Sequence, residues 1–340
     1  MARSEHAVDQ FEDLLIEFRS LGGTAENVCL KEGEYGRGLF PRDSSKPIKI
    51  RIPDSLLIDH KFAVFENNIF RLAADIPIGA RERAFLERYE SDLSWPAGKR
   101  EIENVFQIMQ EASPELRELL RKSYYAHRWT VEPTDEIVQQ RFLDARVIRY
   151  KGADVIMPFV ELANHGQSAR YERDDGVGLS GVFAGEILAR YQASDPLQIF
   201  AKWGFASDSE LLALSIHIKN DSAGLVVERQ DTNPETATPP FMPAVTRDAT
   251  GRLTLSYMLL GHRQRPGLPR GIFYRIMRDA GRQRNQADAA FDSILHLNRK
   301  HMLKLIEACE GAPPRIGKLL RNVARFQLET MSCCIGHEEI

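Results

Sequence analysis

The strand-like stretches of this 340-residue chain are interrupted by a helical one, and that interruption decides which architectures are open to it. The apolar step Val28-Cys29-Leu30 and the alternation of Ile48, Ile50 and Ile52 with charged residues read as short strands. Pro41, Pro47 and Pro53 exclude a long helix in the same region. Residues 80–145 then read as mostly helical, for example from Glu115 to Tyr125 and from Asp135 to Ala145. Strand-like segments return at Ala145–Tyr150, Asp154–Leu162, Val177–Phe183, Glu186–Tyr191 and Leu225–Glu228. A doubly wound α/β fold alternates strand and helix throughout, so it is excluded and an α+β arrangement remains.

Both ends of the chain are expected to be helical. In residues 7–20, Phe11, Leu14, Leu15 and Phe18 recur at the helical period, and Gly22-Gly23 supplies a stop. Ser113-Pro114 has the form of a helix start, with proline at the first helical position. The polar, proline-rich stretch from Asp231 to Pro243 reads as a long loop or linker. Gly271–Arg284, Ala287–Glu310 and Pro314–Cys334 follow as three helices. The order divides the chain into segments 1–79, 80–145, 146–230 and 231–340.

Charge removes one class of function. The net charge of −3 is not that of a polyanion binder, and nucleic acid is not expected as a partner. From Arg270 to Arg325, however, 12 Arg and Lys stand against 5 Asp and Glu, a net +7. That end reads either as a solvated helix face or as a surface for an acidic partner. Cys29, Cys309, Cys333 and Cys334 form no C-x-x-C pair, and no Cys/His set has zinc-ligand spacing, so no metal is expected. The start, MARSEHAVDQFEDLL, lacks the apolar core of a signal peptide, and no run reaches the roughly 18 apolar residues of a membrane span. The cytoplasm is the simplest expectation.

Three short constellations could carry chemistry. Gly33-Glu34-Tyr35-Gly36-Arg37-Gly38-Leu39-Phe40 has three glycines before a strand. Pro41 follows, so the helix N-terminus of a dinucleotide-binding loop cannot form there. Met157-Pro158-Phe159-Val160-Glu161-Leu162-Ala163-Asn164-His165-Gly166 is an apolar run ending in Asn-His, which offers donors and acceptors. Ala184-Gly185-Glu186-Ile187-Leu188-Ala189-Arg190-Tyr191 delivers a phenol to the end of a short strand, with Trp203-Gly204-Phe205 beyond. Each alone also reads as plain structure: a tight hairpin, a turn closing a buried strand, a core aromatic.

Taken together and in this order, the three resemble the SET-domain methyltransferases, and within them the subclass of the Rubisco large-subunit lysine methyltransferase and the actin-histidine methyltransferase. The likeness lies in Gly36-Arg37-Gly38-Leu39, in Asn164-His165, in Gly185-Glu186-Ile187 leading to Tyr191, and in Asp195-Pro196-Leu197-Gln198-Ile199 leading to Trp203-Gly204-Phe205. It runs from about residue 22 to 207. It implies an α+β fold: a β-rich SET domain of short strands with a helical insert (80–145), completed by 146–230, then a C-terminal helical domain (231–340) that binds substrate.

The resemblance also implies roles. The cofactor would be S-adenosylmethionine, held by Glu34, Tyr35, Gly36, Arg37 and Gly38, by Asn164 and His165, and by Phe205 against the adenine. Tyr191 would stand at the methyl-transfer channel. The activity would be protein N-methylation, most simply of lysine on a non-histone protein substrate. Histidine or a small amine remains open as acceptor, as does a SET module serving only as a binding or scaffold protein. Hydrolase chemistry has no support: Gly178-Leu179-Ser180-Gly181-Val182 lacks the last glycine of a nucleophile elbow. His296 and His301 lie five apart on a predicted helix and do not share a face as metal ligands would.

Overall fold

The apolar period of the first helix is realised in full: Phe11, Leu14, Leu15 and Phe18 are each 0% exposed on α1 (Ala2–Ser20). The structure is a computed structural model that describes residues 2–123, 126–230 and 233–333, with side chains from residue 9. Tyr125, Asp231 and Cys334, which bound or belong to features expected from the sequence, lie outside the described residues. By contacts the chain divides into two units, Met1–Glu103 with Pro133–Tyr191, and Asn104–Glu132 with Gln192–Ile340.

The first unit is built from α1 and small sheets. β1 (Thr24–Glu26), β2 (Val28–Gly33), β3 (Gly36–Pro41) and β4 (Ile48–Ile52) follow α1. β5 (Ile58–Asp59), β6 (Ala63–Glu66) and β7 (Ile69–Leu72) come next, then α2 (Ala80–Tyr89). A five-residue π-helical turn, Glu90–Ser94, joins α2 to α3 (Trp95–Gln110). The chain leaves the unit within α3, and α4 (Pro114–Lys122) belongs to the second unit. It returns with α5 (Asp135–Arg146), β8 (Val147–Tyr150), β9 (Ala153–Ile156), β10 (Asn164–Ala169), β11 (Val177–Gly181) and β12 (Leu188–Ala189). The expected insert 80–145 is thus shared between the two units.

Pairing explains the alternation seen in the sequence. β4 is the centre of a β1-β4-β11 sheet, antiparallel to both neighbours, and Ile48, Ile50 and Ile52 turn one face inward. Beside it stand the β2-β3 hairpin, the β5-β9-β8 sheet and the parallel β10-β12 pair. The core of the unit is aromatic. The Phe159 ring lies 4.9 Å from Phe18, 5.0 Å from Tyr89 and 5.4 Å from Phe11.

In the second unit, α6 (Pro196–Trp203) begins at Asp195, whose carboxylate accepts the Gln198 N–H at 2.9 Å, and ends at Gly204 with φ 80°. That Asp-Pro pair is an N-cap followed by proline at the first helical position. Asp195 also pairs with Arg229 at 2.5 Å and accepts from Gln327 and the Leu214 N–H, all buried. β13 (Leu212–Leu214), β14 (Ile218–Asn220), β15 (Leu225–Val227), β16 (Val245–Arg247), β17 (Leu253–Leu255) and β18 (Leu259–His262) form a β14-β15-β17-β16 sheet and a β13-β18 pair. The sequence reading had no strands between the linker and the last helices. Those helices are α7 (Leu268–Asp279), α8 (Arg284–Ala308) and α9 (Pro314–Ser332). No described helix is long and apolar enough to cross a membrane.

Candidate active site

A hairpin supplies the first wall. β2 and β3 pair from Val28↔Pro41 to Gly33↔Gly36 around the turn Glu34-Tyr35. Gly36 has φ +90°, a conformation that glycine adopts without strain. Glu34 is exposed, Tyr35 is 58% exposed, and Arg37 is half-buried with its Nη2 donating to the Leu93 carbonyl at 3.0 Å. Gly38 is buried, and here the absence of a side chain is required. A Cβ would sit 2.7 Å from Asn164 Nδ2 and would collide with Glu186 Oε1.

The second wall starts from a strained turn. Phe159 has φ 65° and ψ −46°, and the Val160 N–H reaches back to the Pro158 carbonyl at 2.8 Å. This is a classic γ-turn, a conformation costing on the order of 1–3 kcal/mol for a bulky residue. A short 3₁₀ turn, Val160–Leu162, then leads through Ala163 to Asn164 and His165 at the start of β10. The Asn164 amide donates to Glu186 Oε1 at 2.5 Å and to the Arg37 carbonyl at 3.3 Å.

The third wall is the strand after Glu186. The Ile187 N–H donates to the Leu39 carbonyl at 2.8 Å, and β12 runs parallel to β10 with Asn164↔Leu188 and His165↔Ala189 in register. Tyr191 follows, half-buried, and its hydroxyl donates to the Ala163 carbonyl at 3.1 Å. Its ring meets the buried His165 ring edge-on at 5.0 Å, and its N–H points at His165 Nδ1 at 3.5 Å. Burial pushes the Tyr191 phenol above its usual range; Arg146 opposes this, while Glu101, Glu161 and Glu186 add to it. The phenol is therefore a neutral hydroxyl, not a phenolate, at ordinary pH.

Of the residues singled out from sequence, Arg37, Gly38, Asn164, His165 and Tyr191 come together in the first unit through these contacts. Glu34, Tyr35 and Gly36 form the tip of the same hairpin. Phe205 belongs to the second unit, just after the Gly204 cap of α6. Sequence reasoning passed over Glu186 as a site residue, although it stands in the quoted Gly185-Glu186-Ile187 motif. It also passed over Tyr89, Glu90, Arg146 and Glu161, whose proximity no local spacing announces. Among the described residues no group of His, Cys, Asp and Glu could hold a metal ion.

The resemblance implies S-adenosylmethionine, a cationic amino-acid sulfonium, as the group this site would hold. The Gly38 cradle that a Cβ would fill, the Glu186 carboxylate over it and the Arg37 and Ala163 carbonyls make an acceptor-rich wall. Acceptors of that kind suit an ammonium or a polarised S–CH₃, so the residues present fit the group.

No family model matches the chain, and no curated protein matches it. Solved structures do resemble it. The SET domain of LSMT bound to lysine and AdoHcy covers 98% of this chain and 90% of its own, at 13% identity and a TM-score of 0.43. Rubisco LSMT bound to sinefungin and monomethyllysine covers 96% and 90%, at 13% identity and 0.44. Rubisco LSMT bound to AdoMet covers 97% and 91%, at 12% identity and 0.46.

Proposed function

We propose that the protein is an S-adenosylmethionine-dependent N-methyltransferase of the SET type, acting on the lysine side chain of a non-histone protein. One observation carries the reading. The Asn164 amide bridges the Arg37 carbonyl and the Glu186 carboxylate, one residue away from the carbonyl that holds the Tyr191 hydroxyl. Segments more than a hundred residues apart thus meet at one acceptor-lined point.

When bound, the cofactor supplies an electrophilic methyl on a sulfonium. The rest falls to the chain. Gly38 lets the main chain approach closely; Asn164 and Glu186 orient the amino-acid end; Tyr191 and the Ala163 carbonyl line the route of the incoming amine. Fixing an amine in line can contribute roughly 7–11 kcal/mol in favourable cases. The lysine must arrive neutral, although its unperturbed pKa is about 10.4. Partial desolvation beside a cation favours loss of its proton. A Tyr191 phenol that stays protonated orients this amine and does not serve as its base.

Isothermal titration with S-adenosylmethionine tests the reading. Binding by the native chain, lost in a folded Asn164→Ala variant, supports it; no heat with the native chain rejects it. Comparison of methylated peptides in cells with and without the protein then tests the lysine and non-histone assignments.

A further inference from the structure

The first unit also buries a set of charged groups that the reaction outlined above leaves without a task. The π-helical turn Glu90–Ser94 carries Glu90 inward, 1% exposed. Such turns occur frequently at functional sites. The Glu161 side chain is also 1% exposed, and Arg146 Nε lies 3.6 Å from its Oε2. Arg146 is shared with Glu101, 3.3 Å from its Nη2. The Tyr89 hydroxyl donates to Glu161 Oε1 at 2.9 Å and accepts the Phe159 N–H at 2.8 Å.

These contacts form a closed circuit. Tyr89 and Glu161 grip the γ-turn at Phe159. The Glu161 N–H donates to Met157 at 3.1 Å, and Ala163 donates to Val160 at 3.2 Å while its own carbonyl accepts the Tyr191 hydroxyl. Asn164 then reaches the Arg37 carbonyl, and the Arg37 guanidinium returns to Leu93 in the π-helical turn that begins beside Tyr89. Every link is a hydrogen bond or a short run of backbone, so a shift at Glu161 is felt at Ala163.

We propose that Glu161 is a positioning residue for methyl transfer: gripped by Tyr89 and Arg146, it fixes the Phe159 turn and thereby the Ala163 carbonyl that sets the Tyr191 hydroxyl. The inference rests on the methyltransferase reading.

Glu90 makes the device sensitive to pH. Facing it are Glu161, the Ser94 hydroxyl and Arg146; Tyr89 and Arg37 in turn face Glu161. Neither Glu90 oxygen nor the Ser94 hydroxyl makes a hydrogen bond among the described residues. Two carboxyls stand before one guanidinium that Glu101 also engages. Burial, and then the charge on Glu161, push Glu90 well above the ordinary carboxylate range; burial raises Glu161 too, but Arg146 and the Tyr89 hydroxyl pull it back, so Glu90 keeps its proton longer as pH rises. Loss of that proton places a second negative charge beside Glu161, competes for Arg146 and loosens the grip on the turn.

The test uses the full chain with Glu161→Gln, Glu161→Asp, Tyr89→Phe and Glu90→Gln. Methyl transfer is read from radiolabelled S-adenosylmethionine to a random lysine-peptide library, cofactor affinity by calorimetry, and the Tyr191 ring by carbon-13 NMR of labelled tyrosine, assigned with Tyr191→Phe. Glu161→Gln should lower turnover about ten- to a hundredfold, the scale of a small misplacement, while cofactor affinity stays within about twofold. It should also move the Tyr191 resonance, and Glu161→Asp should recover most of the loss. Tyr89→Phe should act in the same direction. Rising pH supplies more neutral lysine to both chains, so Glu90 is read from their difference: Glu90→Gln should have a higher ratio of turnover at high to neutral pH than the native enzyme. An unmoved Tyr191 resonance in Glu161→Gln overturns the proposal, as does a loss that Glu161→Asp does not recover, or a ratio of turnover at high to neutral pH that Glu90→Gln leaves unchanged. Absence of cofactor binding by the native chain would reject the methyltransferase reading instead, and the Tyr191 resonance would still decide whether Glu161 sets that ring.

Discussion

Replacing Gly38 with alanine isolates the cofactor cradle from the fold around it. The new methyl would sit 2.7 Å from Asn164 Nδ2 and collide with Glu186 Oε1. Both are ends of side chains, so Glu186 can swing away while the hairpin keeps its Lys31↔Gly38 register. The loss is the 2.5 Å bond between Asn164 and Glu186. A hydrogen bond to a charged group contributes about 1.5–3 kcal/mol, and with both residues half-buried the lower end applies. Spent on cofactor binding, about 1.4 kcal/mol is a tenfold rise in Kd. Gly36→Ala is the contrast: its methyl meets nothing within 4 Å, but its φ of +90° costs an alanine roughly 1–2 kcal/mol of stability. Calorimetry and urea denaturation should therefore separate the two, with Gly38→Ala acting mainly on affinity and Gly36→Ala mainly on folding. The decisive arm is Gly38→Ala in a Glu186→Ala background, where the nearer collision partner and its bond to Asn164 are already gone, so the second change should cost clearly less than it does in the native chain. Strictly additive losses would refute the geometry.

Tyr191→Phe removes the donor to Ala163 and should reduce turnover about tenfold or more with little change in cofactor Kd; unchanged turnover removes Tyr191 from the reaction. Phe159→Ala empties the centre of the aromatic core and should cost about 3–5 kcal/mol by denaturation, with no strain recovered, because alanine is also disfavoured at a φ of 65°. Because Glu90 binds its proton more tightly folded than unfolded, its contribution to stability is greatest below its ordinary value of 4.5 and is lost as pH rises through the raised folded-state value. The fall is up to about 1.4 kcal/mol per pH unit over that window, so as pH rises above 4.5 urea midpoints should decline less steeply in Glu90→Gln than in the native chain. Asp195→Ala leaves Arg229 buried without its carboxylate and should cost about 3–5 kcal/mol, with Asp195→Asn milder because it keeps the cap on α6. Equal midpoints for native and Ala chains would mean that the pair contributes nothing.

What the sequence displayed and what it withheld follow from the range of the forces involved. Period and capping are local, so Phe11, Leu14, Leu15 and Phe18 announced a helix, and Ile48, Ile50 and Ile52 a half-buried strand. Ser113 indeed caps α4, accepting the Leu116 N–H at 3.2 Å. Asp195-Pro196 is a helix start by the same rule, an N-cap carboxylate followed by proline at the first helical position. The strands Val245–Arg247 and Leu253–Leu255 are three residues each, too short for alternation to rise above a loop. Glycine and asparagine advertise positive φ; a phenylalanine does not, and Phe159 holds its γ-turn only because four aromatic neighbours and the Tyr89 hydroxyl over-determine it. That turn in turn aims Ala163 and Asn164, so the motif visible in the sequence depends on a conformation that is not. A buried carboxylate is harder still to foresee, since its tolerance is decided by a guanidinium elsewhere in the chain: Glu161 reads as one more polar residue until Arg146 and Tyr89 are seen to close on it. The resemblance thus named Arg37, Gly38, Asn164, His165 and Tyr191, which the fold brings together, whereas the groups that hold them in place are bound by contacts across 15 to 72 residues, where no spacing rule reaches.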